Sequence, residues 1–188
     1  MEPKGTALGI VALVVAIGIV LWYPGRNPLN ENGIQRALFT NSEFNFTLNY
    51  RQEPDGYVIV PRPITGGALY AITMYQYADY QALRAKKYGQ EGPPGISLAI
   101  YPNPKDQFPW EWVKVNTISN YALGNKRIAP GSVDGKLAAS YTWSGLYESE
   151  SVAIAHRKRI YLLSVGSLSS GDQIRADFKD IVSRLELE

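Results

Sequence analysis

The sequence predicts an α+β domain, an antiparallel sheet covered by helices, preceded by one amino-terminal transmembrane helix. Three observations predict it. An uncharged apolar run extends from Ala7 to Tyr23, short segments of two-residue periodicity recur between Glu43 and Gly166, and an amphipathic segment follows Ser170. Strands first, with one helix in the middle and one at the end, is the order that lays helices on an antiparallel sheet.

The run from Gly5 to Pro24 has the roughly 20 residues needed to cross a hydrocarbon core of about 30 Å. Lys4 and Arg26 flank it, Trp22 and Tyr23 stand where an interfacial aromatic belt belongs, and Pro24-Gly25 ends it. A cleaved signal peptide is the competing reading. Its apolar region would close on a small-x-small site after about 7–15 residues, whereas this run continues past Ala16-Ile17-Gly18. Residues 1–23 are therefore expected to be an uncleaved anchor that meets the lipid bilayer through residues 5–23. The short leading tail places the remainder outside the cytoplasm, on a single-pass protein of the cell membrane. Residues 24–42, rich in Pro, Asn and Gly, read as a linker with at most one helical turn.

The domain is expected over residues 43–188. In "FNFTLNY", Phe44, Phe46, Leu48 and Tyr50 alternate with Asn45, Thr47 and Asn49, the mark of a half-buried strand. Further strands are expected at Tyr57–Val60, Ala68–Gln76, Ile96–Tyr101, Lys136–Trp143, Ser149–Ala155 and Ile160–Gly166. A short helix fits between Tyr77 and Lys87. Pro109 opens a helix through "PWEWVKVNTISNYAL", since proline in a first turn breaks no hydrogen bond; Trp112, Val115, Ile118 and Ala122 would share its face. In the last helix Ser170-Gly171-Asp172-Gln173 fits a capping box, and Ile174, Phe178, Ile181, Val182 and Leu185 form one apolar stripe.

"FNFTLNY", "ISLAIY" leading into "WEWV", "VDGKLAASYTW", "RIYLLSV" and "IRADFKDIVSRLEL" occur in an order that resembles PsbP-like α/β/α sandwich domains of bacterial envelope and thylakoid proteins. The resemblance spans most of residues 43–188 and implies that fold. Many members of that family are non-catalytic adaptors or assembly factors, so it also implies a binding role. It carries over no site residue, because its elements are apolar patterns.

Composition narrows the functions. Of 188 residues 45% are hydrophobic and 19% charged, enough to bury a core. Nineteen Lys and Arg against 17 Asp and Glu leave a net charge of +2, which argues against a nucleic-acid partner held through phosphates. The absence of cysteine removes thiol catalysis and thiolate metal sites. His156, the one histidine, can form neither a zinc site nor a triad unaided and reads as structural. "GSVDGK" falls short of a phosphate loop, with three residues between the glycines and Leu137 where Ser or Thr is required. Asp134-Gly135 instead reads as a type I′ turn.

No catalytic, cofactor or metal residue is assigned, and no cofactor is expected. Two binding surfaces are candidates. Tyr70, Tyr75, Tyr77, Tyr80, Trp110 and Trp112 could line a ligand groove, and Arg157, Lys158 and Arg159, on a hairpin loop, could meet an anionic surface. The expected function is a membrane-anchored extracytoplasmic binding or adaptor domain with an envelope protein or polymer as partner. The alternatives are an envelope hydrolase using Glu148, Glu150 or Asp134, because glycosidases employ paired carboxylates, and a structural subunit of a membrane complex.

Overall fold

The computed structural model describes residues 29–31, 33–87 and 92–188. The expected membrane anchor lies outside them, and among the described residues no helix is long and apolar enough to cross a membrane.

Two antiparallel sheets build the domain. The small sheet has the order β1-β2-β3-β11, from β1 (Leu29–Glu31), β2 (Ile34–Asn41), β3 (Phe46–Arg51) and β11 (Glu186–Leu187). The large one has seven strands in the order β4-β5-β6-β10-β9-β8-β7: β4 (Tyr57–Pro61), β5 (Tyr70–Gln76), β6 (Ile96–Pro102), β7 (Ala129–Val133), β8 (Lys136–Ser144), β9 (Glu148–His156) and β10 (Arg159–Ser167). Three helices accompany them, α1 (Tyr77–Arg84), α2 (Pro109–Val115) and α3 (Gln173–Ser183). The α+β class is as expected, but a second sheet replaces the single helix-covered one.

The centre of the large sheet is apolar on both faces because both are covered. Along β10, Tyr161, Leu163 and Val165 point into a core shared with Phe44, Phe46 and Leu48 and with Ile174, Phe178 and Ile181 of α3. Ile160 and Leu162 point to the other face, where Trp112 and Val113 of α2 pack with Tyr101 and Tyr141. The Tyr161 hydroxyl donates to the Phe44 carbonyl at 2.6 Å, so this buried phenol is satisfied and ties the small sheet's loop to the large sheet. At the opposite end of the small sheet, a Cβ on Gly56 would lie 2.1 Å from the Arg51 carbonyl oxygen, and only glycine permits that crossing between sheets.

Four sequence expectations require correction. Residues 29–31 and 34–41, expected within the linker, are strands. The middle helix stops at Val115 and continues as two 3₁₀ turns, Thr117–Ser119 and Tyr121–Leu123. Local side chains compete for its carbonyls: Asn116 donates to Trp112 O at 2.9 Å and Ser119 to Val113 O at 2.7 Å. Val115 consequently faces solvent instead of sharing the Trp112 face. At α3 the capping box is not formed. Asp172 occupies the N-cap, but its carboxylate turns back to accept from Leu168 N, Ser169 N and the Ser169 hydroxyl. Finally, Leu185 lies beyond the helix end, buried where the chain turns into β11, which pairs with β3.

Candidate functional site

The small sheet and α3 do not extend over the whole inner face of the large sheet. Beyond α3, the end formed by β7, β8 and β9 is left with a groove of about 500 Å³. Cross-strand register builds its floor. Ala129 pairs with Ser140, Gly131 with Ala138, and Ser140 with Val152, so the small side chains of β7 and β8 share one face with Val152 of β9. Phe178, Lys179, Val182 and Ser183 of α3 form the wall. The floor is low because the hairpin carries Ala, Gly and Ser where the sheet centre carries Leu, Ile and Tyr.

The hairpin's turn sets this register. Asp134 and Gly135 have φ of 48° and 69°, the two positive values a type I′ turn requires. In a two-residue hairpin Val133/Lys136 and Gly131/Ala138 are the hydrogen-bonded pairs, which leaves Pro130 and Ser132 to direct their backbone groups outward. Pro130 has no N–H, so the outer edge of β7 offers a poor template for a further strand. The groove, and not the sheet edge, is the open surface here.

Its carboxylates already have partners. Asp134 accepts the Leu187 N–H at 2.9 Å and lies 3.6 Å from the Lys136 ammonium. Glu150 and Glu148 each approach Arg175 of α3 at 3.4 Å. Of the three carboxylates weighed for hydrolysis, Asp134 and Glu150 line the groove, Glu148 and Glu150 share one arginine, and Asp134 holds the final strand.

A smaller pocket of about 280 Å³ lies between α3 and the small sheet. Arg36, only 5% exposed, donates to Asn49 Oδ1 at 2.7 Å and to Asp180 at 2.5 Å. Asp177 accepts from Arg51 at 2.8 Å and from the Tyr57 hydroxyl at 2.7 Å. Burial, and then the hydrogen bond to Asp177, push the Tyr57 phenol far above its ordinary value of 10.0. Burial tends to raise Asp180, but hydrogen bonds from Arg36 and Arg184 outweigh it and hold the carboxyl below its usual range. These pairs clamp α3 to β2 and β3.

The six aromatics of the expected ligand groove are not brought together. Tyr70 sits in the first core, 5.3 Å from Phe44, while Trp112 sits in the second, 5.4 Å from Tyr101. Trp110 stacks on the exposed Phe108 at 4.9 Å. Tyr75 is on β5, and Tyr77 and Tyr80 are half-buried on α1. None of the six lines the groove or the pocket. Arg157 and Lys158 form a two-residue turn, both with positive φ, and Arg159 pairs with His156 as the first residue of β10. His156 is held by the Glu188 carbonyl at 2.8 Å.

The element order and two-layered core bear comparison with a solved structure, that of cyanobacterial PsbP (CyanoP) from Synechocystis sp. PCC 6803. It superimposes with a TM-score of 0.55 over 81% of this chain and 92% of that one. The fold is PsbP-like. Sequence identity over this PsbP-like match is 10%, so the likeness extends to the fold alone. No family model and no curated protein matches the sequence. Apart from Asp134 and Glu150, the groove residues of this PsbP-like domain escaped sequence reasoning, although one signal was present: small residues on both arms of the Asp134-Gly135 turn, in "APGSVDGKLAAS".

Proposed function

We propose that this protein is a single-pass, membrane-held extracytoplasmic adaptor that binds an envelope protein through the groove between α3 and the β7–β8 hairpin. One observation carries the reading: the groove is open and floored by small side chains, yet its carboxylates are committed to Arg175, Lys136 and the Leu187 amide. Such a surface offers shape and apolar contact to a partner and leaves no carboxylate pair for acid–base chemistry. The uncharged run from Ala7 to Tyr23 supports the membrane attachment, and the PsbP-like fold is compatible with a binding role.

The test is affinity purification of the full chain from its own membranes in mild detergent. Ser140→Trp fills the groove from its floor, whereas Leu137→Ala alters an exposed side chain on the same strand outside it. The reading expects one protein retained by the wild type and by Leu137→Ala but lost from Ser140→Trp, with the variants' thermal unfolding unchanged. Equal retention by Ser140→Trp would show that the groove is not the binding surface.

A further inference from the structure

We infer that the layer covering the outer face of the large sheet, built around α2, is a contact surface for anionic lipid. The inference depends neither on the groove, which lies on the inner face, nor on whether residues 5–23 cross a bilayer.

The layer is made of residues 62–69 and 103–128. Trp112, Val113 and Ile118 pack down onto Tyr101 and Tyr141 of the sheet, and Ala68 joins them. The two segments meet where a Cβ on Gly66 would lie 3.2 Å from the Ile118 side chain. At the start of the layer Asn103 N donates to Lys158 O at 2.7 Å, so the Arg157-Lys158 turn adjoins it. The side chains that do not pack down face solvent.

Those outward side chains are of two kinds. Ile64, Leu69, Phe108, Val115 and Leu123 are five of the nine large apolar side chains exposed among the described residues, and Phe108 stacks on Trp110 at 4.9 Å. A single exposed leucine is ordinary, but their concentration on one face marks an interaction surface. Among them stand Arg62, Lys105, Lys114, Lys126 and Arg127, all exposed, against only Asp106 and Glu111. Five against two is an excess of three positive charges, whereas the whole chain has an excess of two, so the remainder is net negative by one. The positive charge of the protein is collected on the face that also collects its exposed apolar groups.

An acidic protein would match the charges, but this layer gives it no pocket to fill. Neither the groove nor the smaller pocket is lined by these residues, and protein interfaces draw most of their energy from side chains seated in such pockets. A lipid surface requires none. It accepts apolar side chains singly, holds aromatic rings at the headgroup level, and attracts lysine and arginine heads whose stems lie along it. The layer crosses the sheet from Tyr101 on β6, beside Trp112, to Tyr141 on β8, beside Tyr121. That is three strand spacings, about 14 Å, within two Debye lengths of about 8 Å each, so the charges act on one surface together. Each basic residue at an anionic surface is worth about fivefold in partition.

The chain has no cysteine, so introduced thiols report position directly. Ala122 is exposed in the layer, and Ala176 is exposed on α3, across the sheet. Full-length Ala122→Cys and Ala176→Cys, each with a fluorophore, are reconstituted with phosphatidylcholine vesicles that carry a headgroup quencher, with or without phosphatidylserine. Expected is quenching several-fold stronger at position 122 than at 176, enhanced by phosphatidylserine, weakened by added salt, and reduced both by Lys105→Gln/Lys114→Gln/Lys126→Gln and by Val115→Ser/Leu123→Ser. Equal quenching, stronger quenching at 176, or indifference to phosphatidylserine overturns the inference. An inserted anchor holds the chain to either vesicle, so flotation with phosphatidylcholine alone reports on residues 5–23, whereas the phosphatidylserine-dependent difference between the two labels reports on the layer. If the label at 122 stays unquenched while the triple lysine variant loses a protein retained by affinity purification, the layer binds an acidic protein and the inference fails.

Discussion

The two halves of the large sheet are made of the same hydrogen-bonded ladder and carry different side chains. At β6, β10 and β9 both faces are roofed, and the residues are Ile, Leu, Tyr and Val, most of them without solvent exposure. At β7 and β8 the inner face runs out from beneath α3, and the residues become Ala, Gly, Ser and Pro. The covered half spends its side chains on the core, whereas the inner face of the open half is left to the groove. Stability is therefore concentrated at one end of the sheet, and the groove proposed for binding lies at the other.

The largest test of this contrast uses one residue type in both halves. Leu163 is 0% exposed in the centre of β10, and Leu137 is 47% exposed on β8. Leu163→Ala is expected to destabilise by about 2–5 kcal/mol, the range for a well-packed core leucine. Leu137→Ala is expected to change stability by no more than about 0.5 kcal/mol, as surface substitutions do. Urea unfolding of both variants decides it, and similar midpoint shifts would contradict the division.

Next in size is the clamp between α3 and the small sheet. Asp177→Ala leaves the Arg51 guanidinium and the Tyr57 hydroxyl without the acceptor they share, at an expected cost of about 1–3 kcal/mol. Asp177→Asn, which keeps one acceptor oxygen, should recover part of that loss. If both variants unfold like the wild type, Asp177 adds nothing to the clamp, and α3 is held by its apolar stripe and the Arg36–Asp180 pair.

Tyr57 adds a pH signature to the same clamp. Its folded pKa is raised, so the neutral phenol is the form that the fold favours. That contribution is complete below the ordinary value of 10.0 and is lost as pH rises from there toward the folded value. Stability should fall above pH 10 with a slope from this group of at most about 1.4 kcal/mol per pH unit, and Tyr57→Phe should flatten the decline. Thermal unfolding between neutral pH and pH 11 provides the measurement.

These regions also differ in how legible they were. Strands of the covered half declared themselves by apolar alternation, and β5, β6, β9 and β10 begin or end within two residues of expectation, as does β8 of the open half. In the small sheet only β3, within "FNFTLNY", did so; β1, β2 and β11 did not. Its β2 follows Asn32-Gly33, a strong hairpin signal, but that signal stood in a Pro/Asn-rich stretch that reads as a tether. β11 is two residues long and forms only because Leu187 is drawn into the core beside Phe46. The groove was hidden for a related reason: it exists because helix coverage ends, which is a property of layers and not of any one segment. Reading aromatics as a site failed because Tyr70 and Trp112 lie in cores on opposite faces of the sheet.

The smallest expected effect on stability is the sharpest for function. Lys179 is exposed on the groove wall, and no ion pair among the described residues includes it. Lys179→Ala should shift unfolding by about 0.5 kcal/mol or less. If a partner occupies the groove, this ammonium lies on the polar rim of the interface, where truncation typically alters association rate and salt dependence more than residence time. Surface-captured full-length protein, measured against the partner recovered by affinity purification, should show slower binding to Lys179→Ala and a weaker dependence on ionic strength. Unchanged association at every salt concentration would place the partner away from α3, and the open half of the sheet would then need another explanation.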